Sequence, residues 1–301
     1  RLLAQPPPCA LREETLHSMA SITVLDVLKS HGPNVVCPDS ATLTDAADVM
    51  MEGGRTSALV KDSNDTPIGV ITANDLLAAF VEGVGWEASV AKWLRAGDAR
   101  LPGNLLPALS VPSTASIEEA ANLMASQKGT DHASHHIAVK DSNEVILGVL
   151  SALDLAKAIS KNSHSAIAQR LADSSVEKVM KARSVLPECP AAGSLAQAFR
   201  EMFAAKQNCV VIVEEIEGGP DCKRVEGVIT PRDVLRAFAE HVPGTTTAAG
   251  WLRGVQSKIE PRTVKQQAKL SDAAEIMATH TVHHVLALDP PSSDVQGILS
   301  A

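Results

Sequence analysis

The sequence has no tyrosine, and aromatic residues make up only 2% of its 301 residues. Proteins that bind single-stranded nucleic acid need aromatic side chains on which bases can stack, beside a basic groove. Because the formal net charge is also −8, we expect no general nucleic-acid binding, which still leaves room for a local basic pocket. The hydrophobic core must be built mainly from alanine, valine, leucine and isoleucine.

Cysteines are few as well: the chain has five, an odd number, and no Cys-x-x-Cys pair. This pattern predicts free thiols in a reducing, intracellular compartment. No apolar run approaches the ~20 residues of a membrane span, and no signal peptide is visible. The chain begins with Arg1 rather than methionine. Removal of a transit peptide inside a mitochondrion or plastid would give such a start, and so would any other truncation.

The sequence does contain a fourfold repeat, and repeats decide how a chain of this length is read. Four copies of a motif, glycine followed by two apolar residues and then threonine or serine, begin at Gly69, Gly148, Gly227 and Gly297. In the first three copies an aspartate lies three residues after the hydroxyl, at Asp75, Asp154 and Asp233. In the fourth copy this position would follow Ala301, the last residue.

A second shared pattern precedes each glycine motif. A short apolar segment ends in proline in the first three copies and in Lys265 in the fourth. Five residues after that end, an apolar residue begins a helical periodicity, at Leu43, Ile117, Leu195 and Leu270. Three of these helix starts carry the spacing of a capping box, at Thr42/Asp45, Ser116/Glu119 and Ser194/Gln197. A β-branched strand, a polar turn, the motif strand and a closing helix complete the pattern. Each repeat is therefore predicted to be a β-α-β-β-α unit.

Four such units resemble the CBS domain, named for cystathionine β-synthase, and two in tandem resemble a Bateman module. The resemblance implies an α/β (α+β) fold in which four repeats form two pseudo-two-fold modules. It predicts an N-terminal tail over residues 1–19, a first pair of repeats over 20–160, a connector over 161–173 and a second pair over 174–301. The last repeat is expected to be incomplete at its C-terminus.

The resemblance implies a regulatory module rather than an enzyme, and no Ser-His-Asp arrangement, P-loop or paired carboxylates argue for catalysis. Such modules bind AMP, ADP, ATP or S-adenosylmethionine between paired repeats, with no covalent cofactor, and act on a partner protein. The alternative is a structural or accessory subunit of a larger complex, either in an organelle or elsewhere, with empty or degenerate clefts. The four repeats would form either an intramolecular disc or a homodimer with another chain.

The motif residues are the ligand-binding residues that the resemblance implies. The aspartates Asp75, Asp154 and Asp233 would take ribose hydroxyls, and the hydroxyls Thr72, Ser151, Thr230 and Ser300 would take phosphates at a helix start. Arg232 would supply positive charge, so repeat 3 is predicted to be the most competent for phosphate and repeat 2 the least. The same Thr/Ser-x-x-Asp spacing is also a capping box. The residues can therefore be helix caps instead, and the two roles can coexist.

Histidines form a second candidate set at equivalent places in repeats 2 and 4, namely His135, His136, His283 and His284. The resemblance implies phosphate contact, while the simpler alternative is that they begin a strand and pair with the backbone. A metal site is disfavoured because the spacing fixes no coordination geometry, and none is predicted. Adjacent residues of a strand point to opposite faces, so only one histidine of each adjacent pair is expected to face a cleft.

Two tryptophans, Trp93 and Trp251, also occupy equivalent places, just before repeats 2 and 4. We predict that each packs the helix that opens its repeat. A role facing an adenine base is the alternative.

Overall fold

The computed structural model describes residues 22–96, 109–126, 135–161, 166–216, 223–256, 262–289 and 294–301. The predicted tail over 1–19 lies outside these residues. Within them the chain forms helices and four small mixed sheets. The predicted α/β fold class of β-α-β-β-α repeats is confirmed.

The first pair of repeats follows the predicted element order. Helix α1 (Val24–Ser30) precedes repeat 1, which comprises β1 (Val36–Pro38), α2 (Leu43–Glu52), β2 (Ser57–Lys61), β3 (Pro67–Thr72) and α3 (Ala73–Val81). Helix α4 (Val90–Ala96) precedes repeat 2, which comprises β4 (Ser110–Pro112), α5 (Ile117–Ala125), β5 (His136–Lys140), β6 (Ile146–Ser151) and α6 (Ala152–Lys161). Helix α7 (Ala166–Ala172) falls within the predicted connector.

The second pair repeats this order with different lead-in segments. Short 3-10 turns at Val176–Lys178 and Arg183–Val185 flank β7 (Lys181–Ala182), and repeat 3 comprises β8 (Glu188–Pro190), α8 (Leu195–Ala204), β9 (Val210–Glu215), β10 (Lys223–Ile229) and α9 (Pro231–Ala239). Helix α10 (Ala248–Gln256) precedes repeat 4, which comprises β11 (Thr263–Lys265), α11 (Leu270–His280), β12 (His284–Asp289) and β13 (Asp294–Ser300).

Every repeat has the same strand pairing. Its first strand runs parallel to its second, and the second runs antiparallel to the third, so the sheet order follows the chain. The same pairing recurs in repeats 3 and 4. The capping boxes predicted at Thr42 and Ser116 are both formed, whereas Ser194 accepts a hydrogen bond from the Gln197 N–H without the reciprocal bond.

The repeats of each pair exchange their lead-in segments. Helix α1 precedes repeat 1 but packs on repeat 2, where the Val24 N–H donates to the Ala115 carbonyl at 2.9 Å. Helix α10 precedes repeat 4 but packs on repeat 3, where the Ala248 N–H donates to the Gly193 carbonyl at 2.7 Å. Because each repeat completes its core with a segment from its partner, the two repeats of a pair are stabilised together.

In repeats 2 and 4 the segment exchanged between the repeats passes close to the motif glycine. A methyl group at Gly148 would lie 2.3 Å from Asn34 Oδ1, in the segment that crosses from α1 to β1. A methyl group at Gly297 would lie 2.4 Å from the carbonyl oxygen of Lys181 in β7. At Gly297 the neighbour is backbone, so only glycine permits this close approach of the crossing segment. At Gly148 the neighbour is the end of the Asn34 side chain, which would have to shift to make room.

The sheets of each pair face one another through apolar side chains. Leu59 and Val70 of repeat 1 pack with Ala138 and Ile146 of repeat 2. In the second pair, buried residues of β9 pack with Leu286 and Val295 of repeat 4. This contact has the form of the predicted two-fold modules.

The two pairs meet through their helices. Helices α2 and α3 of repeat 1 share one core with α8 and α9 of repeat 3, and α6 of repeat 2 packs on α11 of repeat 4. Aromatic rings, scarce elsewhere, concentrate in the first of these contacts. The Phe80 ring meets Phe199 edge-on at a centroid distance of 5.0 Å, and Trp86 meets Phe238 at 4.5 Å. All four repeats of one chain therefore pack around a common centre.

Replacing Phe199 with alanine should destabilise the protein by roughly 3–5 kcal/mol, because it removes a fully buried ring from the contact between the pairs. Urea unfolding monitored by far-ultraviolet circular dichroism would measure this loss. The matched control is Val185→Ala, since Val185 is 67% exposed and should change stability by at most about 0.5 kcal/mol. Equal effects of the two substitutions would contradict the shared core.

Candidate functional site

A cavity of about 590 Å³ lies where the four repeats meet. Each repeat contributes to its wall: Thr56 and Asn74 come from repeat 1, His135 from repeat 2, Asp233 from repeat 3 and Ser300 from repeat 4. Apolar side chains, including Val228, Leu252 and Leu286, complete the wall. We call this space the central cavity.

One position of the repeat lines the central cavity in all four copies. In each repeat, the first residue of the first strand pairs with a residue of the second strand, and the position in question lies three residues before that partner. The residues at this position are Thr56, His135, Asn208 and His283. Asn208 Nδ2 lies within hydrogen-bond distance of His135 Nε2, and Asn74 Nδ2 donates to Asn208 Oδ1 at 3.4 Å. Sequence reasoning found the histidines but missed Thr56 and Asn208, which an alignment of the repeats by strand register would have found.

All four predicted histidines line the central cavity, so the expectation of one from each adjacent pair was wrong. Strands β5 and β12 begin at His136 and His284, and His135 and His283 precede them. Alternation of side chains therefore does not separate the members of a pair. The cavity lies at the strand ends, where it can contact both.

These histidines are electrically neutral at pH 7. Burial lowers the pKa of His135 and His283 to about 4 and that of His136 and His284 to about 3. The positive charges of Lys181 and Arg232 and the neighbouring imidazoles lower these pKa values further. His136 Nε2 is hydrogen-bonded to Thr56 Oγ1 at 3.1 Å. The histidines therefore offer hydrogen bonds rather than full positive charges.

Three arginines supply the positive charge of the central cavity: Arg232, Arg236 and Arg262. The Arg232 guanidinium donates to the Thr281 carbonyl at 3.2 Å, and burial lowers its pKa. Arg262 Nε is buried without a hydrogen-bond partner among the described residues. Sequence reasoning named Arg232 but missed Arg236, which lies one turn later on α9 and therefore shares its helix face.

Asp233 is the one side-chain carboxylate among the described residues that line the central cavity. Its Oδ2 accepts hydrogen bonds from the Thr230 N–H at 2.8 Å and the Thr230 hydroxyl at 2.9 Å, which makes it a cap of helix α9. Its Oδ1 accepts from the indole N–H of Trp251 at 3.1 Å. Burial raises the pKa of Asp233. The predicted cap is therefore present, and the same carboxylate also faces the cavity.

Asp154 lies in a second, much smaller cavity of about 30 Å³. Its Oδ2 accepts hydrogen bonds from the N–H and hydroxyl of Ser151, and its Oδ1 pairs with the Arg55 guanidinium at 2.7 Å. Although burial opposes it, these hydrogen bonds and the Arg55 charge lower the pKa of Asp154. Arg55 also donates to the His31 carbonyl. An arginine of repeat 1 thus fills the cleft of repeat 2, a contact that sequence reasoning missed.

Asp75 and Thr72 line neither of these two cavities. Asp75 Oδ2 accepts hydrogen bonds from the Thr72 N–H at 2.7 Å and the Thr72 hydroxyl at 2.6 Å, so the pair caps helix α3. Burial raises the pKa of Asp75 to about 6. The three motif aspartates thus share a capping role but differ in surroundings.

The described parts of the chain contain no group of histidine, cysteine and carboxylate side chains placed to hold a metal ion. Over the same residues, no helix has the length and apolar character to cross a membrane. Cys37, Cys189 and Cys209 are buried free thiols, and burial raises the pKa of each to about 11. These thiols are therefore unreactive core residues.

The repeats and the clefts between them can be compared with those of known proteins. The CBS domain family matches residues 24–82 and 105–161, which are repeats 1 and 2. The first two repeats of the chain are therefore similar to CBS domains. Repeat 3, which lies outside that match, has the same β-α-β-β-α structure, and repeat 4 has the β-α-β-β part of it.

Solved structures share this fold. A Methanocaldococcus jannaschii protein described as an archaeal homologue of γ-AMPK is 14% identical, with a TM-score of 0.66 over 93% of this chain and 97% of that one. A CBS-domain protein of Pyrobaculum aerophilum complexed with AMP is 19% identical over 50% of this chain and 96% of that one, with a TM-score of 0.37. No curated protein matches the sequence. At such identities the first likeness shows that the fold extends through all four repeats.

Acidification should destabilise the protein between about pH 6.5 and pH 4. The unfolded chain takes up protons on histidine below about pH 6.5, whereas the four buried histidines stay neutral in the folded state until about pH 4 or 3. Asp75 and Asp233, with raised pKa values, oppose this trend because the folded state gains protons on them. Because the four histidines outnumber the two aspartates, the Tm should fall by about 2 °C or more for each pH unit of acidification.

Differential scanning calorimetry from pH 7.5 to 4.5 would measure this slope. The variant carrying both His135→Gln and His283→Gln should show a shallower slope than the wild-type protein, because two of the four linked groups are gone. A Tm that is constant or rises as the pH falls would show that the cavity histidines are not held neutral.

Proposed function

We propose that the protein is a regulatory module that binds an adenine nucleotide or related adenosyl ligand in the central cavity and transmits its occupancy to a partner protein. The observation that carries the proposal is the chemistry of the cavity wall. Apolar side chains, three arginines and a carboxylate at a helix start surround one space of about 590 Å³. This volume lies within the range of about 300–1,000 Å³ that small-molecule sites occupy.

The parts of an adenosine nucleotide fit different parts of this wall. The base would pack on apolar residues such as Val228 and Leu252, and the ribose would bond Asp233. Phosphate would lie near Arg232 and Arg236 in the first turns of α9, where the guanidinium charges and the helix dipole favour an anion. Among the side chains of the described wall, arginines exceed carboxylates by three to one, so these side chains favour an anionic ligand.

The proposal assigns different roles to the predicted clefts. The repeat 3 cleft opens into the central cavity and carries Thr230, Arg232 and Asp233, with Ser300 and the histidines on the facing wall. The repeat 2 cleft is filled by Arg55, and its free space of about 30 Å³ has room for about one water molecule. We propose that one nucleotide binds, at repeat 3, and that Ser151 and Asp154 are structural in this state.

The location of the cavity suggests how binding would be sensed. Residues from both pairs line it, so a ligand that contacts Asp233 and His135 together favours one arrangement of the pairs over others. A ligand shifts such an equilibrium by its difference in affinity for the two arrangements. A partner protein that contacts both pairs would detect the shift.

The filled repeat 2 cleft favours a second function, that of a structural or accessory subunit. A partly buried ion pair such as Arg55–Asp154 joins repeats 1 and 2 without any ligand. If the central cavity is likewise unused, the module serves as a rigid connector in a complex.

Thermal-shift measurements with AMP, ADP, ATP and S-adenosylmethionine distinguish the two functions. A ligand at about 100 times its Kd stabilises the folded state by about 2.7 kcal/mol, which should raise the Tm by several degrees. The sensor requires such a rise with at least one of these ligands. Unchanged Tm values with all four would support the accessory role.

Arg232→Gln should weaken binding of the nucleotide by about tenfold or more, because it removes a charge-assisted bond to phosphate. Affinity for adenosine, which lacks phosphate, should change little. Isothermal titration calorimetry measures both values. The matched control is Arg253→Gln, which makes the same charge change at an exposed residue of α10 outside the cavity. A similar loss in the control variant would indicate a general charge effect rather than a phosphate contact.

A further inference from the structure

The bond between Trp251 and Asp233 bears on which ligands the central cavity accepts. Trp251 lies on α10, the helix that precedes repeat 4 but packs on repeat 3. Its indole N–H donates to Asp233 Oδ1 at 3.1 Å. Trp251 is 6% exposed, so bulk water has little access to this bond. The carboxylate proposed to bind the ligand therefore already has a donor from another element.

The acceptor capacity of Asp233 is nearly used. A carboxylate offers about four lone-pair sites, two on each oxygen. The N–H and hydroxyl of Thr230 occupy both sites of Oδ2, at 2.8 Å and 2.9 Å. Trp251 occupies one site of Oδ1. The described residues supply no other donor to Asp233, so one acceptor site remains, on Oδ1.

We propose that Trp251 is a specificity-determining residue, which limits Asp233 to a single hydrogen bond from a bound sugar. A ribose presents two neighbouring hydroxyls, at its 2′ and 3′ carbons. Asp233 accepts from one of them, and the other makes no bond to this carboxylate. The cavity therefore binds an adenosine nucleotide that keeps the selected hydroxyl and tolerates loss of the other. This inference rests on the proposed function, which supplies the class of ligand.

Asp154 shows the same division between its two oxygens. Its Oδ2 is filled by the N–H and hydroxyl of Ser151, and its Oδ1 is bound by Arg55. In both carboxylates one oxygen caps the helix, and the donor on the other oxygen comes from outside the repeat's own motif. The second donor therefore determines whether a ligand can reach the carboxylate. The Arg55 side chain fills the cleft of repeat 2, whereas Trp251 leaves the cavity at Asp233 open.

The test compares AMP, 2′-deoxy-AMP and 3′-deoxy-AMP by isothermal titration calorimetry with the full chain. For the wild-type protein, one deoxy analogue should lose about tenfold or more in affinity, because a hydrogen bond to a charged group is lost. The other analogue should bind about as well as AMP. Trp251→Phe keeps an aromatic ring but removes the donor, so both analogues should then bind more weakly than AMP. Trp93→Phe, at the equivalent place before repeat 2, is the matched control and should keep the wild-type selectivity.

The outcomes separate this inference from the function on which it rests. If AMP binds and the wild-type protein loses equal affinity for both analogues, or for neither, the inference is wrong and the proposed function stands. If selectivity is unchanged in Trp251→Phe, Trp251 does not determine it. If neither AMP nor either analogue binds, the proposed function fails and the inference fails with it. The wild-type comparison decides the matter even if Trp251→Phe does not fold.

Discussion

No single repeat can bury its own apolar surface, and the rest of the structure depends on that constraint. A sheet of three short strands has two faces, and the repeat's own helices cover only one of them. The other face packs on the sheet of the paired repeat, as Leu59 does on Ala138. The helices in turn leave apolar sides that only the other pair covers, as Phe199 covers Phe80. The clefts and the central cavity are the space that this packing leaves at the strand ends.

The position of the cavity follows from the same constraint. Helix α9 begins where strand β10 ends, and its capping residues Thr230 and Asp233 lie on the wall of the central cavity. A capping carboxylate is held rigidly by two hydrogen bonds, which suits it to recognise a ligand. The cost is that one oxygen is already used. A helix cap and a ligand contact are thus compatible at Asp233, but the cap restricts what the ligand contact can be.

Much of the fold was predictable because its signals are local and recur four times. The hydroxyl and carboxylate that cap helices α2 and α5 lie three residues apart in the sequence. The strand that follows each helix contains β-branched residues. Repetition removed the ambiguity that one copy would leave, and the predicted order of elements was confirmed. The glycine of the motif was found from the sequence too, but its reason was not, because the segment that crosses Gly148 comes from the other repeat.

The candidate site was less predictable, because its decisive contacts join residues from different repeats. The residue that fills the repeat 2 cleft, Arg55, is 99 positions from Asp154, and no local spacing links them. Strand alternation failed for His135 and His136 because the cavity lies beyond the strand rather than on one face of it. Local patterns therefore predicted which residues cap helices. They did not predict which of those residues reach a cavity.

The scarcity of aromatic residues has one more consequence. With no tyrosine in the chain, its intrinsic fluorescence comes almost entirely from three indoles. Trp86 lies among the rings between repeats 1 and 3, and Trp251 lies against the carboxylate at the cavity. Tryptophan fluorescence can therefore follow both the contact between the two pairs of repeats and the central cavity without an added dye.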